Sequence, residues 1–395
     1  MAGQSHPINL HVQGARGLCA MMVFTYHIYR AEVPTFETVH SGVAGVILRT
    51  MEYGVDLFFC ISGFVILGAL YRAASGSEFL RDRAIRIYPV LWPPLFVSLV
   101  YGLMFHHREF AKVSTETVFL SLPANLLALP GVFDIFLIHP VAWSLSYEMA
   151  FYVFCASAWY LSGRWGSASA ARVWLPVAAV LLTFYPRAMF FLPGLIVALH
   201  PTAGGRLLRV LQRFPFAMLC LTLAAWGGIQ AMTGPVHLVR TTLLAWATDW
   251  RLPLAMVAIA AATLFMRGIV NGEGVLGRFL AWRPWIALGT ISYSFYLWHI
   301  PAVALVRRFM LMLHLEILAG PASQLVMFAL ALPLSVLLAW LSWRLVERSF
   351  CSWLRARLPH ALPRGRRAAA PAEELGSRDG VEAEMLPRQA AGGNL

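Results

Sequence analysis

The sequence predicts an all-α fold, a polytopic bundle of about ten transmembrane helices, from its composition and from the length of its apolar blocks. Of the 395 residues, 59% are apolar and only 13% are charged, whereas soluble proteins carry roughly 45 to 50% apolar and about 25% charged residues. The apolar residues recur in blocks close to the ~20 residues with which a helix crosses a bilayer. These numbers exclude a disordered chain and disfavour a soluble globule.

Apolar windows bounded by charged residues give the predicted spans in chain order. They are 12–31, 54–71, 87–105, 142–162, 173–184, 188–200, 214–232, 253–267, 286–306 and 324–346. The fifth and sixth windows, separated by Tyr185-Pro186-Arg187, are predicted as a thin hairpin or as one kinked helix. The run 117–138 contains prolines and is predicted as a re-entrant or interfacial segment, so that the spans number ten to eleven. Non-helical backbone at membrane depth is tolerated only inside protein.

The domain organisation and the topology follow from the charged residues. Residues 1–350 are predicted as the transmembrane domain, and 351–395 as a disordered Arg/Ala/Glu-rich tail without apolar periodicity. Arginine is more frequent in one alternating set of loops, which places both termini in the cytoplasm of a plasma (inner) membrane. Arg187 is counted in the opposite set of loops. Topology thus accounts for the net charge of +12, and lipid, not nucleic acid, is the expected partner.

The cysteines give no sign of a metal site. All five are scattered, mostly within apolar runs, and none has the spacing of a metal-ligand motif. Any chemistry must therefore be carried out by other polar groups within or beside the spans, where ionisable residues are costly and become functional candidates.

The first span carries two such residues. Arg16 and His27 are eleven residues apart, about three helical turns, which places them on one face roughly 16 Å apart. An arginine can clamp an anion, and a neutral histidine can accept a proton from a hydroxyl. The alternative is that both side chains only extend to the two membrane interfaces.

The second and third spans begin with charged residues. Asp56 lies at the head of an apolar helix, as a catalytic acid or as a partner of the helix dipole. Arg83 and Arg86 precede the third span and are neighbours if this stretch is helical. Two guanidinium groups on one face suit the phosphates of a nucleotide or coenzyme, and the alternative is ordinary positive charge on the cytoplasmic side.

Two further helix faces carry polar residues at helical spacing. In the fourth span the face is formed by Ser144, Glu148 and Tyr152. In the ninth span it is formed by Ser292, Tyr296 and His299. A carboxylate facing lipid would be costly, so Glu148 is expected to face the protein. For the aromatic residues of the ninth span, an interfacial belt is the alternative.

Together these segments resemble the acyltransferase-3 family of integral membrane acyltransferases. The resemblance runs from about residue 8 to 350 and rests on five motifs in order: Gly-x-Arg-Gly followed by Tyr-His, Gly-Val-Asp-Leu-Phe-Phe-x-Ile-Ser-Gly-Phe, Arg-x-x-Arg-Ile-x-Pro, Trp-Ser-Leu-Ser-x-Glu and Ile-Ser-Tyr-Ser-x-Tyr-Leu-Trp-His. It implies an O-acetyltransferase that moves an acyl group, usually acetyl, from cytoplasmic acyl-coenzyme A to a hydroxyl of an exported or surface glycan. In some members the acceptor is a small secondary metabolite such as a macrolide.

The resemblance also implies roles for individual residues. Arg16 and His27 match the family's Arg-x10-His element, in which the histidine is the expected catalytic group, either as a general base or as an acyl carrier. Arg83 and Arg86 match the element associated with the acyl donor. Glu148 and Asp56 match further motif positions and are expected to orient His27. The expected substrate-binding residues are Tyr152, Ser144, Ser292, Tyr296 and His299.

The chain departs from the family pattern at two positions. Gln13 stands where an aspartate commonly precedes the Gly-x-Arg, and Met149 stands where a second acid commonly follows Glu148. The hydrolase-like SGNH domain that some members carry at the C-terminus is not expected here. A non-enzymatic glycan transporter or flippase remains an alternative, although internal repeats, a common carrier feature, are not evident. The oligomeric state is left open, and no metal is expected.

Overall fold

The computed structural model describes residues 9–31, 43–105, 109–201, 205–233, 242–315 and 321–358. Within these ranges the chain is helical, without a strand, which confirms the all-α class. The helices are α1 Leu10–Arg30, α2 Val43–Thr50, α3 Gly54–Arg72, α4 Gly76–Phe105, α5 Thr115–Leu126, α6 Trp143–Trp165, α7 Ser167–Phe184, α8 Phe191–Leu199, α9 Arg206–Leu211, α10 Pro215–Thr233, α11 Leu243–Trp246, α12 Arg251–Val270, α13 Gly274–Leu280, α14 Arg283–Thr290, α15 Ser292–Met312, α16 Pro321–Ser342 and α17 Cys351–Arg357.

Five helical stretches in the described part of the chain are long and apolar enough to cross a membrane. They are Val43–Arg72, Gly76–Phe105, Ser167–Phe184, Arg251–Val270 and Ala322–Arg357. An isolated helix of this kind satisfies all its interior backbone groups by itself, which is what a bilayer demands. The molecule is therefore an integral membrane protein, and the count of ten spans and the side on which each terminus lies stay predictions.

The third predicted span begins earlier than the sequence indicated. A single helix, α4, starts at Gly76, because the Ser75 hydroxyl accepts a hydrogen bond from the Glu78 amide at 3.1 Å and caps the first turn. Arg83 and Arg86 therefore lie on one face of a continuous helix and not in a loop. Pro89 lacks an N–H for the Ile85 carbonyl, and the Cys351 thiol donates to that carbonyl instead, at 3.1 Å.

One other predicted span is divided, and the two short windows around Tyr185 form separate helices. The window 286–306 is interrupted at Ile291 and forms α14 and α15. The pair on either side of Tyr185 forms two helices, α7 and α8, joined by a 3₁₀ turn over Pro186–Phe190. Proline at the first position of that turn has no amide hydrogen to satisfy there, so the backbone changes direction at little cost.

Glycines bring two pairs of helices into close contact. A Cβ atom on Gly63 of α3 would lie 2.1 Å from the Phe191 carbonyl oxygen, and one on Gly194 of α8 would lie 1.9 Å from the Cys60 carbonyl oxygen. Likewise, a Cβ on Gly17 of α1 would lie 2.4 Å from the Trp285 carbonyl oxygen of α14. Small residues at such crossings are typical of membrane helix packing, and here they fix α1 and α3, which carry Arg16 and Asp56.

The segment between α5 and α6, residues 127–142, is irregular and partly buried. Most of it lies in the run 117–138, for which the sequence predicted a re-entrant or interfacial segment. Asn125, fully buried, donates to the Phe136 carbonyl at 2.8 Å and accepts from the Ile138 amide at 2.9 Å. The Ser146 and Tyr185 hydroxyls donate to the carbonyls of Pro130 and Val132, at 2.7 Å and 2.9 Å. Side chains thus satisfy backbone groups that a helix would have paired internally.

The C-terminal helical region ends beyond the predicted domain boundary at 350. A π-helix over Trp343–Phe350 follows α16, and α17 continues to Arg357. Residues 359–395, the remainder of the predicted tail, lie outside the described residues.

Candidate active site

Eight of the predicted site residues line one cavity between α1, α3, α4, α6 and α15. They are Arg16, Arg83, Arg86, Ser144, Glu148, Tyr152, Ser292 and Tyr296. The cavity has a volume of about 70 Å³, and on the scale of about 10 to 15 Å³ for one water it holds on the order of five water-sized groups. The four separate motifs that contribute these residues therefore meet in space.

One end of the cavity, the arginine end, contains Arg16, Arg83 and Arg86. Arg16 donates from Nε to the Ser292 hydroxyl at 3.2 Å. The Arg83 guanidinium lies over the Tyr152 ring, 5.7 Å from its centroid. Its Nε is buried and has no hydrogen-bond partner among the described residues. In the same part of the chain, none of the three guanidinium groups has a carboxylate within 4.0 Å. The arginine end can therefore accept an anion such as a phosphate.

Glu148 lies in the cavity wall within reach of hydroxyl donors. Its Oε1 accepts a hydrogen bond from the Ser62 hydroxyl at 3.2 Å and another from the Tyr152 hydroxyl, one helical turn along α6. The helical spacing of Glu148 and Tyr152 explains their contact. Glu347 also lies within electrostatic range of Arg16 and Arg86, so three arginines beside two carboxylates leave this region with an excess of positive charge.

The other end of the cavity, the aromatic end, is lined by Phe58 and Tyr296. Their ring centroids lie 5.9 Å apart with the planes at 72°. The Tyr296 hydroxyl is hydrogen-bonded to the Ser144 hydroxyl at 2.8 Å and donates to the Val141 carbonyl at 3.1 Å. The Tyr296 ring also lies 5.9 Å from that of His299, so it separates the cavity from the histidines.

His27 lies next to His299, with the ring centroids 5.1 Å apart. His27 is partly exposed, whereas His299 is 1% exposed. The His299 Nδ1 is 3.2 Å from the Phe295 carbonyl and donates to it, so Nε2 carries the lone pair. That Nε2 is buried without a partner among the described residues. An unpaired buried acceptor of this kind is rare and calls for a functional explanation.

Asp56 lies outside the cavity lining, in a buried ion pair. The Arg187 guanidinium donates to both of its oxygens, at 2.9 Å and 2.7 Å, and to Glu52 at 3.1 Å. The same guanidinium lies over the Trp143 ring, 4.9 Å from the centroid. Arg187 is 3% exposed, so its assignment to a surface loop was wrong. Across the described residues, no hydrogen bond or ion pair joins His27 to Asp56 or Glu148.

Three polar residues of this region were missed by the sequence reasoning. Arg187 could have been recognised, because it is a charged residue in an apolar run, and such a residue within a membrane is a candidate functional residue. His139 and Ser98 could not, because neither belongs to one of the five motifs. Their side chains are hydrogen-bonded at 2.8 Å, and His139 is fully buried within electrostatic range of His27 and His299. In the described residues there is no group of three side chains that could hold a metal ion.

Comparison with known families agrees with this arrangement. The family model described as an acyltransferase domain, acyltransferase-3, matches residues 9–344, which include the whole cavity lining. The chain belongs to the acyltransferase-3 family. It is therefore a membrane acyltransferase, and the alternative of a non-enzymatic transporter is set aside.

Two relatives illustrate the range of this acyltransferase-3 family. The chain is 27% identical over 334 residues to the exopolysaccharide production protein ExoZ of Rhizobium meliloti (strain 1021), covering 80% of this chain and 94% of that protein. It is 24% identical over 329 residues to the O-acetyltransferase OatA of Staphylococcus aureus (strain NCTC 8325 / PS 47), covering 74% of this chain but only 51% of OatA. No solved structure matches the chain.

Proposed function

We propose that the chain moves an acetyl group from acetyl-coenzyme A to a hydroxyl of an exported or surface glycan. The observation that carries the proposal is the cavity with two unlike ends, arginines at one and Tyr296 at the other, with His299 and His27 beyond that ring. The acceptor class is supported by the names of the relatives, an exopolysaccharide production protein and an O-acetyltransferase. A macrolide-like acceptor is the alternative outcome of the experiment below.

The arginine end suits the charged part of the donor. Arg83 and Arg86 bind the phosphates through charge-assisted hydrogen bonds, for which the unpartnered Nε of Arg83 is available. Arg16 holds the pantetheine or the phosphate beside it. Glu148 offsets part of the positive charge, so that the donor can leave again after the reaction. These positions fit the donor, because three guanidinium groups beside two carboxylates, Glu148 and Glu347, keep an excess of positive charge that favours a polyanion.

His27 carries out the proton transfer. It accepts the proton of the acceptor hydroxyl, the hydroxyl oxygen attacks the thioester carbonyl, and the C–O bond forms as the C–S bond breaks. The proton then passes to the thiolate, and coenzyme A leaves as a free thiol. His299 lies beside His27, with the ring centroids 5.1 Å apart, and its unpartnered Nε2 accepts a hydrogen bond from a second hydroxyl of the acceptor. We assign Asp56 a positioning role, because both of its carboxylate oxygens accept hydrogen bonds from Arg187. Asp56 therefore holds that guanidinium in place and does not touch the reacting atoms.

The test is mass spectrometry of surface glycans and extractable metabolites from cells that lack the chain, express it, or express His27→Ala. We expect one acetyl group on a glycan only where the chain and His27 are both present. His11→Ala is the matched control, since it removes an imidazole from the same helix that lies outside the cavity lining, hydrogen-bonded to the Gly277 carbonyl at 2.9 Å and packed against Gly272. Acetylation that is equal in all samples overturns the proposal, and acetylation of a small metabolite replaces the acceptor class.

The chemical role of His27 is tested separately with radiolabelled acetyl-coenzyme A and the purified full-length protein, without an acceptor. A general base retains no label on the protein. Stable labelling of the wild-type chain that is absent from His27→Ala would show instead that the imidazole carries the acyl group.

A further inference from the structure

Glu347 is a carboxylate that lies near the arginine end but outside the cavity lining. It belongs to the π-helix over Trp343–Phe350 that follows α16, and π-helical turns are rare and often occur at functional sites. The Cys351 thiol, directly after this π-helix, donates to the Ile85 carbonyl of α4 at 3.1 Å. The π-helix is therefore fixed against the helix that carries two of the arginines.

Hydrogen bonds place Glu347 beside the arginine end. The Ser294 hydroxyl, fully buried in α15, donates to the Glu347 Oε2 at 3.2 Å. Two residues earlier in α15, the Ser292 hydroxyl accepts a hydrogen bond from the Arg16 Nε at 3.2 Å. At this place Glu347 interacts electrostatically with both Arg16 and Arg86. One short stretch of α15 thus holds both a carboxylate and a guanidinium of this region.

Glu347 acts on these arginines without touching them. In the part of the chain that the structure describes, no arginine or lysine nitrogen lies within 4.0 Å of its carboxylate. The arginines nearest to it in sequence, Arg344 and Arg348, lie over the rings of Trp340 and Trp343. The negative charge of Glu347 is therefore felt at the arginine end, while the guanidinium groups stay available to a ligand.

A carboxylate at this place opposes the binding of an anion in two ways. In the empty cavity it stabilises the buried guanidinium groups of Arg16 and Arg86, which would otherwise be costly to keep out of water. When a phosphate is bound, the carboxylate repels it. Two unit charges about 10 Å apart, at an effective dielectric constant of about 20, change an affinity by on the order of tenfold.

We infer that Glu347 weakens the binding of coenzyme A and so speeds the release of this product after acetyl transfer. The inference rests on the proposed function, in which the arginines bind the phosphates of the donor. Glu347 differs from Glu148, which lies in the cavity wall and accepts hydrogen bonds from Ser62 and Tyr152. Glu347 acts from outside the cavity, through its charge, and does not touch the reacting atoms.

The experiment measures the dissociation constant and the dissociation rate of coenzyme A for the purified full-length protein in lipid nanodiscs. Glu347→Gln keeps an oxygen for the Ser294 hydroxyl but removes the charge, so we expect binding about tenfold tighter and release slower by a similar factor. Glu347→Ala repeats this test with a second uncharged side chain. Glu347→Asp keeps the charge and should stay close to the wild type. Damage to the fold would weaken binding, so the sign of the change separates the two causes.

The matched control is Glu109→Gln, the same substitution at an exposed carboxylate that pairs with the exposed Lys112 at 2.8 Å. Solvent and salt screen its charge, so this variant should bind coenzyme A like the wild type. Unchanged or weaker binding in Glu347→Gln, or equal tightening in Glu109→Gln, overturns the role of Glu347 alone. Absence of coenzyme A binding by the wild-type chain overturns the proposed donor site and this role with it.

Discussion

His27 and His299 face each other across two helices, α1 and α15, with their ring centroids 5.1 Å apart and their planes inclined at 53°. The backbone carbonyl of Phe295 fixes the His299 ring, at 3.2 Å from its Nδ1. The immediate partner of the proposed catalytic imidazole is thus a second imidazole, although the sequence suggested a carboxylate.

Replacement of His299 should separate chemistry from donor binding. His299→Phe removes the Nε2 acceptor but keeps a planar ring, so we expect the turnover rate to fall, by less than the roughly 10² to 10⁴-fold expected for loss of the general base His27. The affinity for coenzyme A should stay unchanged, because the arginine end is untouched. Acetyl transfer by the purified protein and binding of coenzyme A measure the two quantities. A variant with full turnover would remove His299 from the reaction.

Replacement of the arginines should have the opposite effect. Arg83→Lys and Arg86→Lys lose the bidentate guanidinium geometry but keep the charge. Each should weaken coenzyme A binding about tenfold, the equivalent of one charge-assisted hydrogen bond of about 1.5 kcal/mol. Arg81→Lys is the control, since Arg81 pairs with Glu78 and Asp82 away from the cavity. Equal effects at all three positions would indicate only a general loss of helix structure.

The ion pair of Asp56 and Arg187 should stabilise the fold, and the effects of replacing the two residues on the free energy of unfolding should not be additive. Arg187→Leu leaves the buried Asp56 carboxylate without its counter-ion and should lower the free energy of unfolding by about 3 to 5 kcal/mol. Asp56→Leu should lower it less, because Arg187 keeps Glu52 at 3.1 Å. The double variant should be closer to the wild type than Arg187→Leu, because the buried Asp56 charge is gone and the carboxylate that still lacks Arg187, Glu52, is partly exposed. Thermal unfolding of the purified proteins tests this coupling, and simple additivity of the two effects would contradict it.

The close contact between α3 and α8 should not tolerate a side chain. In Gly63→Ala the new methyl group would lie 2.1 Å from the Phe191 carbonyl oxygen, so the helices must separate and shift Ser62 at the cavity wall. We expect loss of folded protein or of activity. Gly163→Ala is the matched control, since nothing lies within 4 Å of its added Cβ, and it should stabilise α6 by up to about 1 kcal/mol. Protein yield and thermal unfolding distinguish the two.

Much of the fold and the cavity could be predicted because both depend on local patterns. Composition and the length of the apolar blocks predicted the all-α class, and helical spacing alone put Ser144, Glu148 and Tyr152 on one face, which they share in the cavity wall. The start of α4 was missed because arginines at its N-terminal end resemble a loop, although they face a protein cavity.

Contacts between distant segments could not be predicted in the same way. The partner of Asp56 lies 131 residues away in sequence, and no spacing rule connects the two. Nor could the sequence show that Asp56 contacts Arg187 while His27 contacts His299. Those contacts depend on how α3 and α1 are rotated about their axes. The roles proposed for the site residues stay predictions until the variants are measured.

The irregular segment before α6 has a consequence for how the protein enters the membrane. The carbonyls of Pro130 and Val132 receive their hydrogen bonds from Ser146 and Tyr185, residues that leave the ribosome after them. Lipid offers these carbonyls no donor. The segment must therefore wait in water or inside the insertion machinery until α6 and the turn after α7 have been synthesised, so this part of the bundle assembles as one late, cooperative step.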